Sequence, residues 1–473
     1  MKDPRKADKG PAPIQFFGGM FGAFLPFAFF LVGVVILGLS GAPAETGLWP
    51  ILLAALMLGL LLAKDRHAYS EGIILGMSRP IVMTMVMAWV LAGVLGTLLA
   101  ESGLVQSLVW LARTMGVSGG GYVVASFLIG AVVSTATGTS LGTILVCTPL
   151  LYPGGGALGS DPMVLMGAIV GGATFGDNVS PVSDTTIASA TTQGAEMGGV
   201  VRSRMRYALP AAAVALLVFG LFGGGSGAVA GAGLEGTAGP SGLLMLAVPL
   251  LVIVLLIRRS HLVEGLMMGI LAAAALGILA GQFGFSDLFY MDSERFTAGG
   301  LILDGMQRGV GVSIFTILLM GLVGGLEGAG VMDRVVGSAT RGAKSAAQAE
   351  WRIFATISAA VLLTTHAAVA ILAVGEFTKE AGEAIGLSAY RRANILDVTV
   401  CTYPFLLPFF IPTILAASTT VGYEAFGMPR LSPWTIGLHN AHSWALLVVI
   451  LVAIGTGWGR TEGASTARGG EGA

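Results

Sequence analysis

The chain has 473 residues, of which 55% are apolar and 11% charged, and its net charge is −1. Soluble domains carry about 25% charged residues, so an ordinary soluble domain is excluded. There is no basic stripe to suggest a nucleic-acid partner, and Cys147 and Cys401 lie in apolar surroundings, where free packing cysteines are the default and a disulfide framework is not expected.

The N-terminus carries Lys2, Arg5, Lys6 and Lys9, which marks it as cytoplasmic by the positive-inside rule. An apolar run follows at Phe16–Leu39. Ala42-Pro43-Ala44 resembles a cleavage site, but the run is longer than a signal-peptide core and further runs follow at once, so a retained first helix is expected. Leu48–Ala63 returns to a second basic loop, Lys64-Asp65-Arg66-His67. Further runs lie at Ile81–Ala100, Gly121–Val133, Met163–Thr174, Tyr207–Phe222, Leu243–Ile257, Leu262–Leu279, Val310–Leu326, Ile353–Val374, Thr399–Ala417 and Trp444–Gly455. Several match the span of a bilayer, and the shorter ones read as broken or re-entrant segments, giving about 11–13 membrane elements. The expected fold class is an all-α polytopic membrane protein. Arg202, Arg204 and Arg206 read as an inside loop, as do Arg258 and Arg259, and the acidic loop Phe285–Gly299 reads as outside. Gly223–Gly239 reads as a glycine-rich linker.

The chain also resembles itself. Gly76-Met77-Ser78-Arg79 matches Gly305-Met306-Gln307-Arg308, Gly93 and Gly96 match Gly321 and Gly324, Ser102–Val105 matches Ala329–Met332, and Ala173–Asp177 matches Ala393–Asp397. One copy starts from an inside loop and the other from an outside loop, so an inverted repeat is expected, a build in which secondary transporters place their site between the repeats. The corresponding division is 1–64 for the tail and two scaffold helices, 65–222 for the first repeat, 223–293 for a linker and connecting helices, 294–425 for the second repeat, and 426–473 for a last helix and a disordered tail.

Three polar interruptions carry the chemistry. In Ser134–Thr143, glycines beside hydroxyls permit a helix break whose carbonyls and hydroxyls could coordinate a hard cation, or a packing face whose hydroxyls bond back to their own helix. In Asp177–Thr186, Pro181 and Gly176 argue against a regular helix, and a turn or break there would gather Asp177, Asp184 and neighbouring hydroxyls around one cavity. A carboxylate at that depth can trade a proton for a cation. The third interruption is the second-repeat partner: Arg391, Arg392, Asn394, Asp397, Thr399 and Thr402, then Pro404, Pro408 and Pro412, which rule out a straight helix. Asp397 either serves as a second acid or pairs with Arg391 or Arg392. Thr364-Thr365-His366 falls at roughly the place of Ser134–Thr137, with His366 a proton relay or a packed histidine. His439 and His442 have no acid or cysteine beside them to make a metal site. Nucleotide-binding, hydrolase-elbow and zinc-protease motifs are absent from the sequence, so no enzyme activity and no cofactor is expected.

At Gly172–Asp177 through Ser183-Asp184-Thr185-Thr186 the chain resembles the NhaC family of sodium/proton antiporters, on the pattern F-G-D-x-x-S-P-x-S-D-T-T. Gly138–Thr143 is similar to that family's G-T-S-W-G-T motif, with Leu141 in place of tryptophan; Leu396-Asp397 and the prolines after it are similar to a degraded second-repeat motif. Asn178 stands where a lysine is common. The resemblance implies an ion-transporter-superfamily fold with re-entrant hairpins, a scaffold and a moving region, and a homodimer. It implies that Asp177 and Asp184 with nearby hydroxyls form the cation/proton site. The expected activity is sodium/proton antiport in the inner cell membrane, with sodium and protons as cargo, the lipid bilayer as surroundings, and no metal beyond the transported sodium. The ion-binding candidates are Asp177, Asn178, Ser180, Ser183, Asp184, Thr185, Thr139 and Ser140, with Asp397, Asn394, Thr399, His366 and Thr365 as a second-repeat set. The alternative is sodium- or proton-coupled transport of a small organic acid or amino acid, its carboxylate facing Arg391, Arg392 or a half-helix N-terminus. A non-transporting scaffold or receptor is the third reading, and it leaves the intramembrane acids unexplained.

Overall fold

The computed structural model describes residues 13–40, 45–225, 239–258, 260–292, 297–331, 334 and 345–460. The basic N-terminal tail, Ala42-Pro43-Ala44, the middle of the glycine-rich linker, Arg259 and the C-terminal tail lie outside the described residues. The helices are α1 (Met20–Leu39), α2 (Leu48–Leu62), α3 (Arg66–Met77), α4 (Pro80–Glu101), α5 (Leu104–Thr114), α6 (Gly119–Thr137), α7 (Ser140–Leu151), α8 (Pro162–Val179), α9 (Asp184–Gln193), α10 (Met197–Phe222), α11 (Ala247–Ile257), α12 (Leu262–Leu279), α13 (Phe285–Leu288), α14 (Leu301–Gly328), α15 (Ala346–Thr364), α16 (Ala367–Glu383), α17 (Ala389–Val400), α18 (Ile411–Ser418), α19 (Pro433–His439) and α20 (Ala441–Thr456). A two-stranded antiparallel hairpin, β1 (Tyr290–Asp292) with β2 (Thr297–Gly299), precedes α14.

Among the described residues, seven helices are long and apolar enough to cross a membrane, or eight if the bent pair α19 and α20 forms one span. The chain is a multi-pass, all-α membrane protein. Leu48–Leu62 is a shorter apolar helix of 15 residues, and two other apolar segments are broken. Ile353–Val374 divides into α15 and α16, and the proline-bearing segment after α17, the helix that holds Asp397, becomes a 3₁₀ turn at Tyr403–Phe405 and α18. The arginine cluster does not form a loop. Arg202, Arg204 and Arg206 lie within α10, which Glu196 starts by accepting from the Gly198 and Gly199 amides. The negative end of that cap suits the positive helix start.

Two compact units are distinguished: Met1–Met83 with Ile314–Ser338, and Thr84–Ser313 with Ala339–Ala473. In the first, α1 packs on α2, Phe16 meets Tyr69 edge-on at 5.7 Å, and Arg79 pairs with Glu327. Gly76 lies so close to α14 that a Cβ there would stand 2.9 Å from the Gly324 Cα. In the second unit the same contact recurs with the roles exchanged: a Cβ on Gly93 would stand 2.2 Å from the Gly305 carbonyl oxygen. Gly76 matches Gly305 in the sequence repeat, and the Gly93/Gly96 pair matches the pair that holds Gly324. Gly309 lies against Trp89 and Gly305 against Gly93, so numbers rise along α4 as they fall along α14. Where they pack, α4 and α14 therefore run antiparallel.

The second unit holds the broken helices. α8 is nearly all buried and packs along α6. Gly176 makes that approach possible, since a Cβ there would lie 2.4 Å from the Ser134 Cβ and 2.5 Å from the Thr135 nitrogen. Gly176 is thus a packing glycine inside α8, not the break. The break comes at Pro181, whose ring disfavours a helical Ser180; Ser180 is extended, at φ −74° and ψ 130°.

Candidate functional site

The α6–α7 break turns on Gly138, a left-handed residue at φ 70°, with Thr139 extended behind it as the cap of α7. The α15–α16 break has the same geometry, with Thr365 at φ 54° and His366 extended. Thr365 therefore corresponds to Gly138 and His366 to Thr139, about one turn beyond the position expected from sequence. A β-branched residue is rarely left-handed, and Thr365 is the one non-glycine residue with positive φ among those described.

Both breaks open on one cavity of about 300 Å³, together with Asp177, Asp184 and Thr185. Each break brings a helix end with spare carbonyls against a helix start with spare amides. The Asp177 carboxylate accepts from the Ser140 hydroxyl at 2.6 Å and from the Ser183 hydroxyl at 2.6 Å. Among the described residues it makes no ion pair. Ser183 holds the N-cap position of α9 but makes no side-chain cap bond. A serine there ordinarily accepts from the helix amides; this one gives its proton to Asp177 and sits 3.0 Å from the Thr185 hydroxyl. Asp184, in the first turn of α9, is open to the cavity and benefits from the positive helix start. Pro181 thus places the two acids on separate helices around one space.

Several expected residues stand elsewhere. Ser180 donates to the Thr135 carbonyl at 2.8 Å, tying the break to α6. Asn178 is fully buried, and its amide donates to Asp397 at 3.3 Å. Thr399 bonds back to the Ile395 carbonyl. Asn394 lines a different cavity, with Arg202 and Arg206. Asp397 is fully buried, does not line the 300 Å³ cavity, and pairs with Arg204 at 2.6 Å. Neither Arg391 nor Arg392 is its partner. Arg391 pairs with buried Glu350 at 2.8 Å and also bonds Tyr207 and the Trp458 and Ala453 carbonyls. Arg392 bonds Gln193, the Leu387 carbonyl and Glu383. Neither lines the cavity, so neither faces a solute in it. His442 is buried between Phe127 and Phe175, with ring centroids 5.9 and 5.6 Å away.

Sequence reasoning missed Arg204, Ser189 and Cys401. Cys401 lines the cavity and approaches Asp397 at 3.5 Å. A signal for Arg204 existed. At about 100° per residue, Arg202 and Arg206 share a helix face and Arg204 points the opposite way.

Residues 21–223 match the Na+/H+ antiporter family. Over that stretch the chain is similar to this family. The matched stretch contains Thr139, Ser140, Asp177, Ser183, Asp184 and Arg204. Among curated relatives, the chain is 28% identical over 280 residues to the Na+/H+ antiporter NhaC of Alkalihalophilus pseudofirmus, covering 55% of this chain and 57% of that one. It is 27% identical over 181 residues to a malate-2H+/Na+-lactate antiporter of Bacillus subtilis, covering 38% of each. It is 25% identical over 232 residues to the NhaC of Bacillus subtilis, covering 45% of this chain and 51% of that one. The chain thus spans less than two thirds of these relatives. Among solved structures, the YdaH transporter of Alcanivorax borkumensis is 14% identical, covering 92% of this chain and 99% of that one, with a TM-score of 0.38.

Proposed function

We propose that the chain is a secondary transporter of the cell membrane that exchanges sodium for protons by alternating access. The observation that carries this reading is the Asp177 carboxylate. It is buried, bonded by two hydroxyls, without an ion pair among the described residues, and opens on a cavity at two helix breaks. Oxygen ligands from carboxylates, hydroxyls and carbonyls suit a hard cation such as sodium. In one state Asp177 and Asp184 hold sodium, with Ser140, Thr139 and Thr185 supplying further oxygens. In the other they hold protons, which removes the charge that attracts the cation. Movement of the broken helices carries the site between the two sides, in a homodimer as the family resemblance implies. The sequence similarity to named sodium/proton antiporters supports this reading. The test is a sodium pulse to proteoliposomes loaded with a pH-sensitive dye and free of organic solute. Antiport drives protons against the sodium movement; a silent dye in active-protein preparations rejects it.

A second reading is sodium- or proton-coupled carriage of a small carboxylate. It is favoured by the cavity, which at about 300 Å³ is roomier than a bare ion needs, and by the similarity to the malate/lactate antiporter. Because Arg391 and Arg392 stand elsewhere, the carboxylate would meet the amide ends of α7 and α16. Sodium flux that begins only when malate or lactate is added would select this reading.

A further inference from the structure

The repeats place two matched acids in contrasting surroundings. Asp177 borders the cavity; Asp397 is closed off from it, with side-chain exposure of 0% for itself and 0% for Arg204. Among the described residues, each group that the Arg204 guanidinium bonds is an oxygen acceptor. Its guanidinium donates to the Asp397 carboxylate at 2.6 Å, the Asn178 carbonyl at 2.6 Å, the Thr186 hydroxyl at 2.7 Å, the Asn394 amide oxygen at 3.1 Å and the Ser189 hydroxyl at 3.4 Å. One carboxylate, one carbonyl, one amide oxygen and two hydroxyls form the ligand set of a hard cation. Here a side chain fills it.

We propose that Arg204 is a resident cation: its guanidinium occupies the second-repeat counterpart of the exchanging site, so the protein takes sodium at the first-repeat acids alone. The inference rests on the antiport reading above. An arginine keeps its charge at any working pH. Removing one partner from a buried pair strands a charge, so the guanidinium does not leave during the cycle. Asp397 is thereby withdrawn from exchange, although its match to Asp177 marks it as an ion ligand by descent of the repeat. The pair does not stand apart from the working site. Thr185 touches both the Ser183 hydroxyl and Asp397, the latter at 3.3 Å, so the fixed charge pair borders the hydroxyl chain that serves Asp177. Arg204 is a positioning residue in this account and touches no transported ion.

The test is the sodium dependence of exchange by the full chain in proteoliposomes, with wild type beside Arg204→Gln and beside Arg204→Gln/Asp397→Asn. Wild-type rates should rise hyperbolically with sodium. Without the guanidinium, Asp397 and its surrounding oxygens take a second sodium. Arg204→Gln should then respond sigmoidally, and sodium should raise its unfolding temperature more than it raises that of wild type. A purely structural pair would not alter the shape of the sodium curve. A folded Arg204→Gln protein with a hyperbolic curve and wild-type sodium stabilisation overturns the proposal. Where Arg204→Gln alone fails to fold, the double variant decides, since it removes charge and counter-charge together. A hyperbolic curve in the double variant beside a sigmoidal one in Arg204→Gln supports the proposal by tracing the second sodium to Asp397, and a folded double variant without sodium-driven exchange overturns it by making Asp397 part of the exchanging site. Absence of exchange in wild type is a separate failure, that of the antiport reading itself.

Discussion

Ser140 and Asp177, 37 residues apart in sequence, meet at 2.6 Å where the first turn of α7 faces the end of α8. The contact depends on two local events. Gly138 turns the chain out of α6 in a left-handed conformation, and Pro181 ends α8 just beyond Asp177. Together they leave a carboxylate supported by hydroxyls and facing a cavity.

The hydroxyl support has a measurable size. A hydrogen bond to a charged group is worth about 1.5–3 kcal/mol. Ser183→Ala removes one such donor from Asp177 and leaves the fold intact, because Ser183 makes no cap bond to α9. The sodium concentration for half-maximal exchange should rise roughly tenfold to a hundredfold. Sodium titration of exchange in proteoliposomes reads this, and an unchanged midpoint would remove Ser183 from the site.

Much of this was legible before any coordinates. Leu262–Leu279 stands as α12 residue for residue, and the prolines at 404, 408 and 412 do interrupt the segment after Asp397. The two acids flanking Pro181 do share one cavity. Arg204 was hidden because charge counting along the chain treats neighbouring arginines alike, while a helix sends alternate ones to opposite faces. The role of Gly176 was hidden for a related reason. A glycine marks either a break or a close approach, and only the distance to Ser134 separates the two. The correspondence of Thr365 with Gly138 was obscured because the left-handed position is filled by threonine in one repeat and glycine in the other.

Gly176→Ala should destabilise the protein by about 1–3 kcal/mol, since the added methyl would meet Ser134 and the Thr135 backbone and overpack α8 against α6. Thermal unfolding of the detergent-solubilised protein measures it. A stability equal to wild type would mean that α6 and α8 stand farther apart.

Thr365→Gly should act in the other direction. A left-handed L-residue costs roughly 1–2 kcal/mol, and glycine relieves most of that. The unfolding temperature should rise while the cavity loses the threonine hydroxyl. A fall instead would show that the Thr365 side chain contributes more than its backbone strain costs.

Glu350→Gln tests the structural role assigned to Arg391. Glu350 is fully buried and bonds both Arg391 and Arg460, so the variant leaves buried positive charge without its partner. Loss of about 3–5 kcal/mol is expected, with the sodium midpoint of the folded fraction unchanged. A shifted midpoint with normal stability would return Arg391 to the transport site.

The most direct measurement compares Asp177→Asn with wild type in dye-loaded proteoliposomes under an inward sodium gradient. Asparagine keeps the size and the hydrogen-bonding reach of the side chain but carries no charge to exchange. The account predicts that wild type moves protons and that the inserted, folded Asp177→Asn protein moves none. Proton movement in that variant at the wild-type rate would contradict it.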